Sequence, residues 1–318
     1  MGMDLRSPLL LGDCCMADDV EHLRRVVDEG VGAVVLRPLL EEEMIWDIKL
    51  NGREVAPVVN YGKNLKEVAD RMPNDYVARY FDFVSVLKDK LGVPVIGSVD
   101  CFSFNSWISY LRRFEEAGCA AVEFNVRIMP FDSTIACDDI DRLFGDLVST
   151  SRRVSSLPIS FRVTPFFSDL CSFMLRLSWM GGKNITLFSL SEKLDIDIET
   201  GAPKIVQARI NNDNDTLLWL SVLYKRVNCS LTSMVYGGDT DYASKALLSG
   251  ASALRFDDKA VQCDAAYMHS VRHAIEQVME RMGCSKLSEL VGRSAPDELR
   301  HGFQDIRAFQ FLSNMHGY

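Results

Sequence analysis

Short apolar runs recur along the chain, and several of them follow a glycine that ends a polar, helix-like stretch. Clear copies of this unit are residues 28–36 (DEGVGAVVL), 115–125 (EEAGCAAVEFN) and 247–256 (LLSGASALRF), and a weaker copy is 179–188. Glycine often closes a helix because it adopts left-handed backbone conformations easily, and an uninterrupted apolar run is typical of a buried parallel strand. The pattern therefore predicts alternating helices and strands.

Eight apolar runs of this kind predict eight strands separated by amphipathic helices, with further helices covering the barrel from residue 262 onward. This number of strand–helix units favours closure into a (β/α)8 TIM barrel, an α/β fold that forms a single domain over residues 1–318. In such barrels the functional side chains lie where the strands end. The strands are predicted at about residues 8–12, 33–37, 94–99, 121–126, 158–163, 184–188, 230–235 and 252–256.

Two connections are longer than the others and are predicted as insertions after strands 2 and 6. Residues 38–75 contain Glu41-Glu42-Glu43, which predicts the start of a helix, and Asn51-Gly52, which predicts a hairpin turn. In residues 189–215, an alternating stretch at 195–199 predicts a strand that returns at 204–207. Because both insertions follow strands, we expect both on the functional face of the barrel.

Composition narrows the class of protein. The chain is 47% hydrophobic and 25% charged, which is ordinary for a globular domain. Its net charge of −9 argues against a nucleic acid or an anionic membrane as partner, since both need a basic face. The sequence shows no membrane-spanning run and no signal-peptide pattern, and its nine cysteines lack Cys-x-x-Cys spacing. We therefore expect a cytoplasmic protein with reduced thiols and no metal site.

Several segments, in their order along the chain, resemble a known family. They are residues 8–12 (PLLLG), 93–98 (VPVIGS), 122–126 (VEFNV), 158–165 (PISFRVTP) and the glycine pair 237–238. Together they resemble the FMN-dependent dihydroorotate dehydrogenases, and residues 36–43 and 195–200 resemble the bacterial dihydroorotate dehydrogenase-like branch. The resemblance implies a flavoprotein oxidoreductase of pyrimidine biosynthesis that transfers hydride from a carboxylate-bearing substrate to flavin.

The same resemblance implies where FMN would lie. Asn125 takes the place of the family's strand-4 asparagine, Arg162 that of a strand-5 lysine and Ser189 that of a strand-6 asparagine. Gly237 and Gly238 take the place of the phosphate-loop glycines, whose backbone N–H groups approach the anion closely. The resemblance also implies a small anionic substrate, and it leaves a homodimer open because the family includes dimers.

The catalytic base is the position where the chain departs most from the family. Aligned through Pro130, Met129 takes the place of the family's cysteine or serine base, and a thioether cannot accept a proton near neutral pH. Ser133 and Cys137 lie further along the same loop and are the candidate substitutes.

The residues that the resemblance places near the FMN phosphate also differ from those of the family. Asp257 and Asp258 follow strand 8, where the family has small residues, and Asp239 follows the glycine pair. A carboxylate close to a phosphate repels it unless a cation neutralises the carboxylate.

Charged residues gather at the predicted strand ends. Three interpretations fit them: arginines that bind an anionic ligand, arginines that offset the acids beside FMN, or an Arg–Asp network that fills the mouth. The last gives an alternative function, a cofactor-free barrel that binds an anionic metabolite or a partner protein. The candidate anion-binding arginines are Arg37, Arg127 and Arg255, with Arg162 beside them, and the acids are Asp13, Asp100, Asp239 and Asp257.

Overall fold

Eleven strands and eleven α-helices are present in the part of the chain that the computed structural model describes. The described residues are 2–52, 62–103, 106–126, 136–208, 213–236, 240–257, 264–297 and 307. The strands are β1 (Leu9–Cys14), β2 (Ala33–Leu36), β3 (Leu39–Leu40), β4 (Val95–Cys101), β5 (Ala121–Val126), β6 (Ile159–Val163), β7 (Asn184–Leu187), β8 (Ser191–Ile196), β9 (Pro203–Ala208), β10 (Ser230–Val235) and β11 (Ala253–Asp257). The helices are α1 (Val20–Asp28), α2 (Glu41–Leu50), α3 (Gly62–Arg71), α4 (Tyr76–Leu91), α5 (Tyr110–Ala117), α6 (Cys137–Val154), α7 (Leu170–Met180), α8 (Asp213–Leu223), α9 (Thr240–Ser249), α10 (Ala265–Arg281) and α11 (Leu287–Leu290).

Eight parallel strands close into a barrel. Their order is β2-β1-β11-β10-β7-β6-β5-β4, and β2 also pairs with β4, which joins the two ends of the sheet. The two-residue strand β3 adds to the end of β4. These eight strands match the predicted ones to within two residues, so the predicted (β/α)8 TIM barrel is confirmed.

Glycine closes helices where the sequence pattern predicts it. Gly118 ends α5 with a φ of 94°, and its N–H donates to the carbonyls of Glu115 and Phe114. A side chain at this φ would be strained, which explains why glycine recurs between a helix and the next strand. Residue 121 then begins β5, so the chain turns from helix to buried strand within three residues.

The barrel interior changes from apolar to polar along its axis. Near the strands' N-terminal ends, a small apolar cluster fills the interior and includes Leu10, Ala33, Ile96, Ala121 and Ala253. The residues that point outward pack with the surrounding helices in a much larger apolar core. Towards the strands' C-terminal ends the inward residues are polar or charged. This end, which we call the mouth, is where TIM barrels carry their function.

The first insertion differs from its prediction in one respect. Glu41 begins α2 as predicted, but Asn51 and Gly52 do not form a hairpin turn. Asn51 ends α2, with its N–H and its side-chain amide donating to the Asp47 carbonyl, and Gly52 continues with a φ of 68°. An Asn-Gly pair suits a helix end as well as a hairpin, and here the preceding residues are helical. The hairpin prediction for the first insertion is therefore wrong.

The second insertion contains the predicted hairpin. Strands β8 and β9 pair antiparallel, with Ser191 opposite Ala208 and Ile196 opposite Pro203. After β11 the chain forms α10 and α11. The sequence pattern predicts such helices from residue 262 onward. Among the described helices, none has the length and apolarity needed to cross a lipid bilayer.

Replacing Gly97 by alanine tests the packing between the barrel and its helices. An added Cβ at Gly97 would fall 2.7 Å from Cε1 of the buried Phe114 ring, which packs edge-on against Phe81. We expect Gly97→Ala to lower the free energy of unfolding by about 1–3 kcal/mol, measured by urea unfolding.

The matched control is Gly145→Ala, in the interior of α6. Its nearest side-chain atom outside the helix, Met180 Sδ, would be 3.7 Å from the new Cβ, so the methyl group has room. Because alanine favours helix over glycine, Gly145→Ala should raise the free energy of unfolding by up to about 1 kcal/mol. An equal effect of the two substitutions would contradict this account.

Candidate functional site

A single buried guanidinium organises the charges inside the barrel. Arg255 lies in β11, points inward and is fully buried. Its Nη1 contacts the Glu123 carboxylate, its Nη2 lies 3.1 Å from Asp13 and its Nε lies 3.0 Å from Asp257. Burial alone would lower the pKa of Arg255, but the three carboxylates outweigh burial and raise the pKa. Arg255 is therefore a permanent cation, and we call these four residues the ion network.

Strand β1 is adapted to this arginine. A Cβ at Gly12 would fall 2.7 Å from Arg255 Nε, so only glycine leaves room for the guanidinium there. The next residue, Asp13, has a φ of 54°, which is unusual for a residue with a side chain. The register between β1 and β2 is irregular at this point. The hydrogen bond from Arg255 to the Asp13 carboxylate offsets part of the backbone strain at that position.

Glu123 in β5 joins the ion network to a set of neutral polar groups. Its side chain is fully buried and accepts a hydrogen bond of 2.8 Å from Thr186 Oγ1. Asn184 donates to Thr186 Oγ1 at 3.1 Å and accepts from Thr232 Oγ1 at 2.9 Å. The sequence analysis missed Glu123, although it lies two residues before Asn125 and alternation places the two on the same inward face.

Asn125, Ser189 and Arg162 come together at the mouth, as the resemblance predicts. Ser189 Oγ donates to Asn125 Oδ1 at 3.2 Å, and Asn125 Nδ2 donates to Asp100 Oδ2 at 3.3 Å. Arg162 lies beside Asn125 in the register between β5 and β6. All four side chains are buried.

Arg162 has an unsatisfied donor. Its Nε is buried and, among the described residues, has no hydrogen-bond partner. The carboxylate oxygen that pairs with it among the described residues, Glu123 Oε1, is 3.7 Å away, which is too far for a hydrogen bond. Buried donors without a partner are rare in native proteins, and this nitrogen is available to a bound group.

Asp257 is the last residue of β11, and Tyr236 directly follows β10, so both lie on the same side of the mouth. Burial raises the pKa of Asp257, and the Arg255 guanidinium opposes that shift. Burial also raises the pKa of Tyr236, with a further contribution from Asp257. The phenol is therefore neutral near pH 7 and donates to the Phe188 carbonyl at 2.9 Å. The charge of Asp257 faces Arg255 within the barrel.

Arg37 makes its contacts in a side cleft. Its Nη1 donates to the Tyr76 hydroxyl at 2.6 Å and its Nη2 lies 3.2 Å from Glu43. Burial raises the pKa of Glu43, although Arg37 lowers it in part. The cleft has a volume of about 470 Å³ and lies between α2, α3 and the start of α4. A role for Arg37 in anion binding stays a prediction.

The other predicted site residues divide into three groups. The placement of Arg255 does not support its predicted role as an anion ligand, because it is fully buried and already bound by three carboxylates. Cys137 is the first residue of α6. Arg127, Met129, Ser133, Gly237, Gly238, Asp239 and Asp258 lie outside the described residues.

A second cavity lies at the opposite end of the barrel. It has a volume of about 850 Å³ and is bounded by residues 2–9 and by α10. It contains none of the predicted site residues, and TIM-barrel chemistry occurs at the C-terminal ends of the strands. The second cavity is larger than the cleft beside Arg37. Even so, we assign the candidate site to the mouth, because the predicted site residues and the strands' C-terminal ends lie there.

Comparison with known proteins agrees with the sequence motifs. No family model matches the chain. The dihydroorotate dehydrogenase B (NAD(+)) catalytic subunit of Thermoplasma acidophilum is 22% identical over 301 residues, covering 92% of this chain and 96% of that protein. The protein of the same name from Thermoplasma volcanium is 18% identical, over 92% of this chain and 95% of its own. The resemblance to the dihydroorotate dehydrogenase family is confirmed.

The fold has solved counterparts. Dihydrodipicolinate synthase from Agrobacterium tumefaciens str. C58 superposes with a TM-score of 0.52 at 12% identity, covering 87% of this chain and 78% of that one. At this identity the similarity concerns the fold alone. It agrees with the closed barrel of eight parallel strands.

Replacing Arg255 by methionine tests the ion network. The substitution would leave Glu123, Asp257 and Asp13 without the guanidinium that neutralises them. We expect a loss of about 3–5 kcal/mol in the free energy of unfolding, measured by urea unfolding. Thr186→Val, which removes one hydrogen bond to Glu123, should cost about 1–3 kcal/mol and remains measurable if the first variant does not fold.

The control for this prediction is Arg142→Met. Arg142 is exposed and pairs with Asp139 at 3.0 Å on the surface of α6. Surface ion pairs contribute little, so this variant should stay within about 1 kcal/mol of the parent. A similar small loss for Arg255→Met would show that the ion network does not stabilise the barrel.

Proposed function

We propose that the protein is an FMN-dependent oxidoreductase of the dihydroorotate dehydrogenase type. On this proposal it transfers hydride from a small carboxylate-bearing substrate to flavin, in the cytoplasm and in pyrimidine biosynthesis. The observation that carries the proposal is the group of Asn125, Ser189 and Arg162 at the mouth, with the unsatisfied Nε of Arg162 among them. Support also comes from the relatives, which are named dihydroorotate dehydrogenase B.

The residues of the mouth fit the ring end of FMN. The pyrimidine edge of a flavin carries carbonyl oxygens and ring nitrogens, which need donors and acceptors in one plane. Arg162 offers a buried donor, and the Asn125 amide offers both a donor and an acceptor. Ser189 and Asp100 hold that amide in a fixed orientation. These are the positions that the family resemblance assigns to the ring.

The ion network weakens one objection to FMN at this site. Asp257 stands where the family has small residues close to the phosphate, and a free carboxylate there would repel the anion. In the structure, Asp257 Oδ1 lies 3.0 Å from Arg255 Nε, so the Asp257 carboxylate pairs with a cation inside the barrel, which Glu123 and Asp13 also contact. On this proposal Gly237 and Gly238 bind the phosphate through their backbone N–H groups.

The chain's own residues have distinct tasks in this chemistry. When bound, FMN supplies the hydride acceptor. The positive charge of Arg162 stabilises negative charge that develops at the pyrimidine edge, and its guanidinium replaces the family's lysine at that position. Asn125 orients both ring and substrate. Ser133 and Cys137 are the proposed proton acceptors, since Met129 cannot take that task.

The alternative function, a cofactor-free barrel that binds an anionic metabolite or a partner protein, has weaker support. It requires an Arg–Asp network that fills the mouth. The observed ion network is centred on Arg255 and leaves Arg162 with an unsatisfied donor. We therefore favour the flavin proposal.

Titration with FMN tests the proposal directly. The purified protein should show a flavin absorption band or bind added FMN saturably, followed by quenching of flavin fluorescence. Arg162→Ala should weaken FMN binding roughly 10- to 100-fold, because it removes a charged hydrogen-bond donor. Arg162→Lys, which restores the family's residue, should recover most of the affinity.

The control is Arg176→Ala in α7. Arg176 is bound by Asp141 at 2.7 Å and by Asp169 at 2.8 Å, outside the barrel. This variant should bind FMN like the parent. The absence of both bound flavin and saturable binding in the unmodified protein would refute the proposal.

A further inference from the structure

The cavity at the N-terminal end of the barrel combines apolar walls with charged groups at one edge. Its volume of about 850 Å³ lies in the range of sites that bind small molecules. Met3 and Leu5, which precede β1, line it and pack against the small apolar cluster inside the barrel. Ile275 and Met279 of α10 line the same cavity. These four side chains offer an apolar surface to a ligand.

One face of α10 borders this cavity. The bordering positions are residues 272, 275, 276 and 279, and steps of three and four residues fall on one face of a helix. Arg272 stands at the N-terminal end of that face. Its Nε lies 3.7 Å from Glu276 Oε1, which is too far for a hydrogen bond. The helix therefore places a guanidinium at the end of an apolar stripe.

A second guanidinium lies at the same edge, at the turn between α1 and β2. Arg6 Nε donates to the Val31 carbonyl at 2.9 Å, and Arg6 Nη2 donates to the Val27 carbonyl at 2.7 Å. Arg272 packs against Gly30 in this turn, because a Cβ there would lie 3.1 Å from Arg272 Cδ and 3.3 Å from its Nη1. Two positive charges thus meet at one turn, and both arginines line the cavity.

Both guanidinium groups keep unused donors. Within the described part of the chain, neither the Nη1 of Arg6 nor the Nη1 of Arg272 has a hydrogen-bond partner. The Nε of Arg272 is buried and has none either, and its Nη2 makes only a 3.5 Å contact with His269 Nδ1. Two like charges at one turn repel each other. An anionic group between them would accept their free N–H groups and offset that repulsion.

Nearby carboxylates limit the charge that such a ligand can carry. Asp4, Asp28 and Glu276 also border the cavity. In the described ranges, Asp4 and Asp28 form no ion pair, so their charges are not offset by a neighbouring cation. They would repel a polyanion such as a polyphosphate. A single negative charge is attracted by the two arginines at close range and avoids most of this repulsion.

We propose that this cavity binds a small monocarboxylate with an apolar or aromatic body. The carboxylate accepts hydrogen bonds from Arg6 and Arg272 at the turn between α1 and β2. The apolar body lies against Met3, Leu5 and the bordering face of α10. This site is separate from the flavin site proposed at the mouth, because the two lie at opposite ends of the barrel strands. It binds a ligand without taking part in chemistry, and it does not depend on the proposed function.

The fluorescent probe anilinonaphthalene sulfonate tests the site, because it joins an aromatic body to one negative charge that stands in for the carboxylate. The parent protein should bind it saturably with a rise in fluorescence, and an excess of decanoate should displace it. Arg272→Gln should weaken this binding about tenfold, because it removes a charged hydrogen-bond donor. Phenylnaphthylamine, which has the same aromatic body without the charge, should bind the parent and Arg272→Gln alike.

A second variant tests the cavity independently of the charge. Ser252 lines the cavity and is exposed, so a larger side chain there does not disturb the core. Ser252→Trp should weaken the binding of both probes, because the indole occupies part of the cavity. Thermal unfolding of each variant should match the parent.

The controls are Arg281→Gln and Arg162→Ala. Arg281 is exposed in the last turn of α10, outside the cavity, so its loss changes the net charge as Arg272→Gln does without touching the site. Arg162→Ala alters the mouth at the other end of the barrel. Both controls should bind the sulfonate probe like the parent. The proposal is overturned if the parent shows no saturable binding, if Arg272→Gln binds the probe unchanged, or if Arg162→Ala abolishes binding.

Discussion

The contact between Arg255 and Glu123 determines how the interior of this barrel is built. Both side chains are fully buried, and each would be strongly unfavourable there without the other. Asp13 and Asp257 contact the same guanidinium, so the ion network ties β1 and β5 to β11. These strands come from the beginning, the middle and the end of the chain. The charges therefore favour the closed barrel over any partly assembled sheet.

The same contact shapes the candidate site. With Arg255 held below the mouth, Asp257 pairs with it inside the barrel, and the buried Nε of Arg162 has no hydrogen-bond partner among the described residues. Asn125 is fixed from two sides by Ser189 and Asp100. The site is thus a rigid polar surface supported by buried charges. Such preorganisation is what stabilisation of a developing charge requires.

The two insertions differ in how they contact the barrel. The first is anchored: Glu41, at the start of α2, accepts hydrogen bonds from the N–H groups of Phe102 and Ser103 and from the Ser103 hydroxyl, just after β4. It therefore fixes the chain at the mouth. The second insertion forms a hairpin whose side chains from residue 193 to residue 204 are exposed. The barrel thus carries one insertion that is anchored at the mouth and one that is exposed to solvent.

The sequence alone determined the number, order and approximate limits of the barrel strands, because a buried parallel strand appears as an uninterrupted apolar run and glycine often closes the helix before it. The family resemblance also assigned Asn125, Arg162 and Ser189 to one site at the mouth. Only the tertiary structure decided which groups surround each described arginine. Alternation along a strand shows that Arg255 points inward, but not that Glu123, Asp13 and Asp257 surround it from three strands. The Asn51-Gly52 error has a similar origin, because a dipeptide suits both a hairpin and a helix end, and the neighbouring structure decides between them.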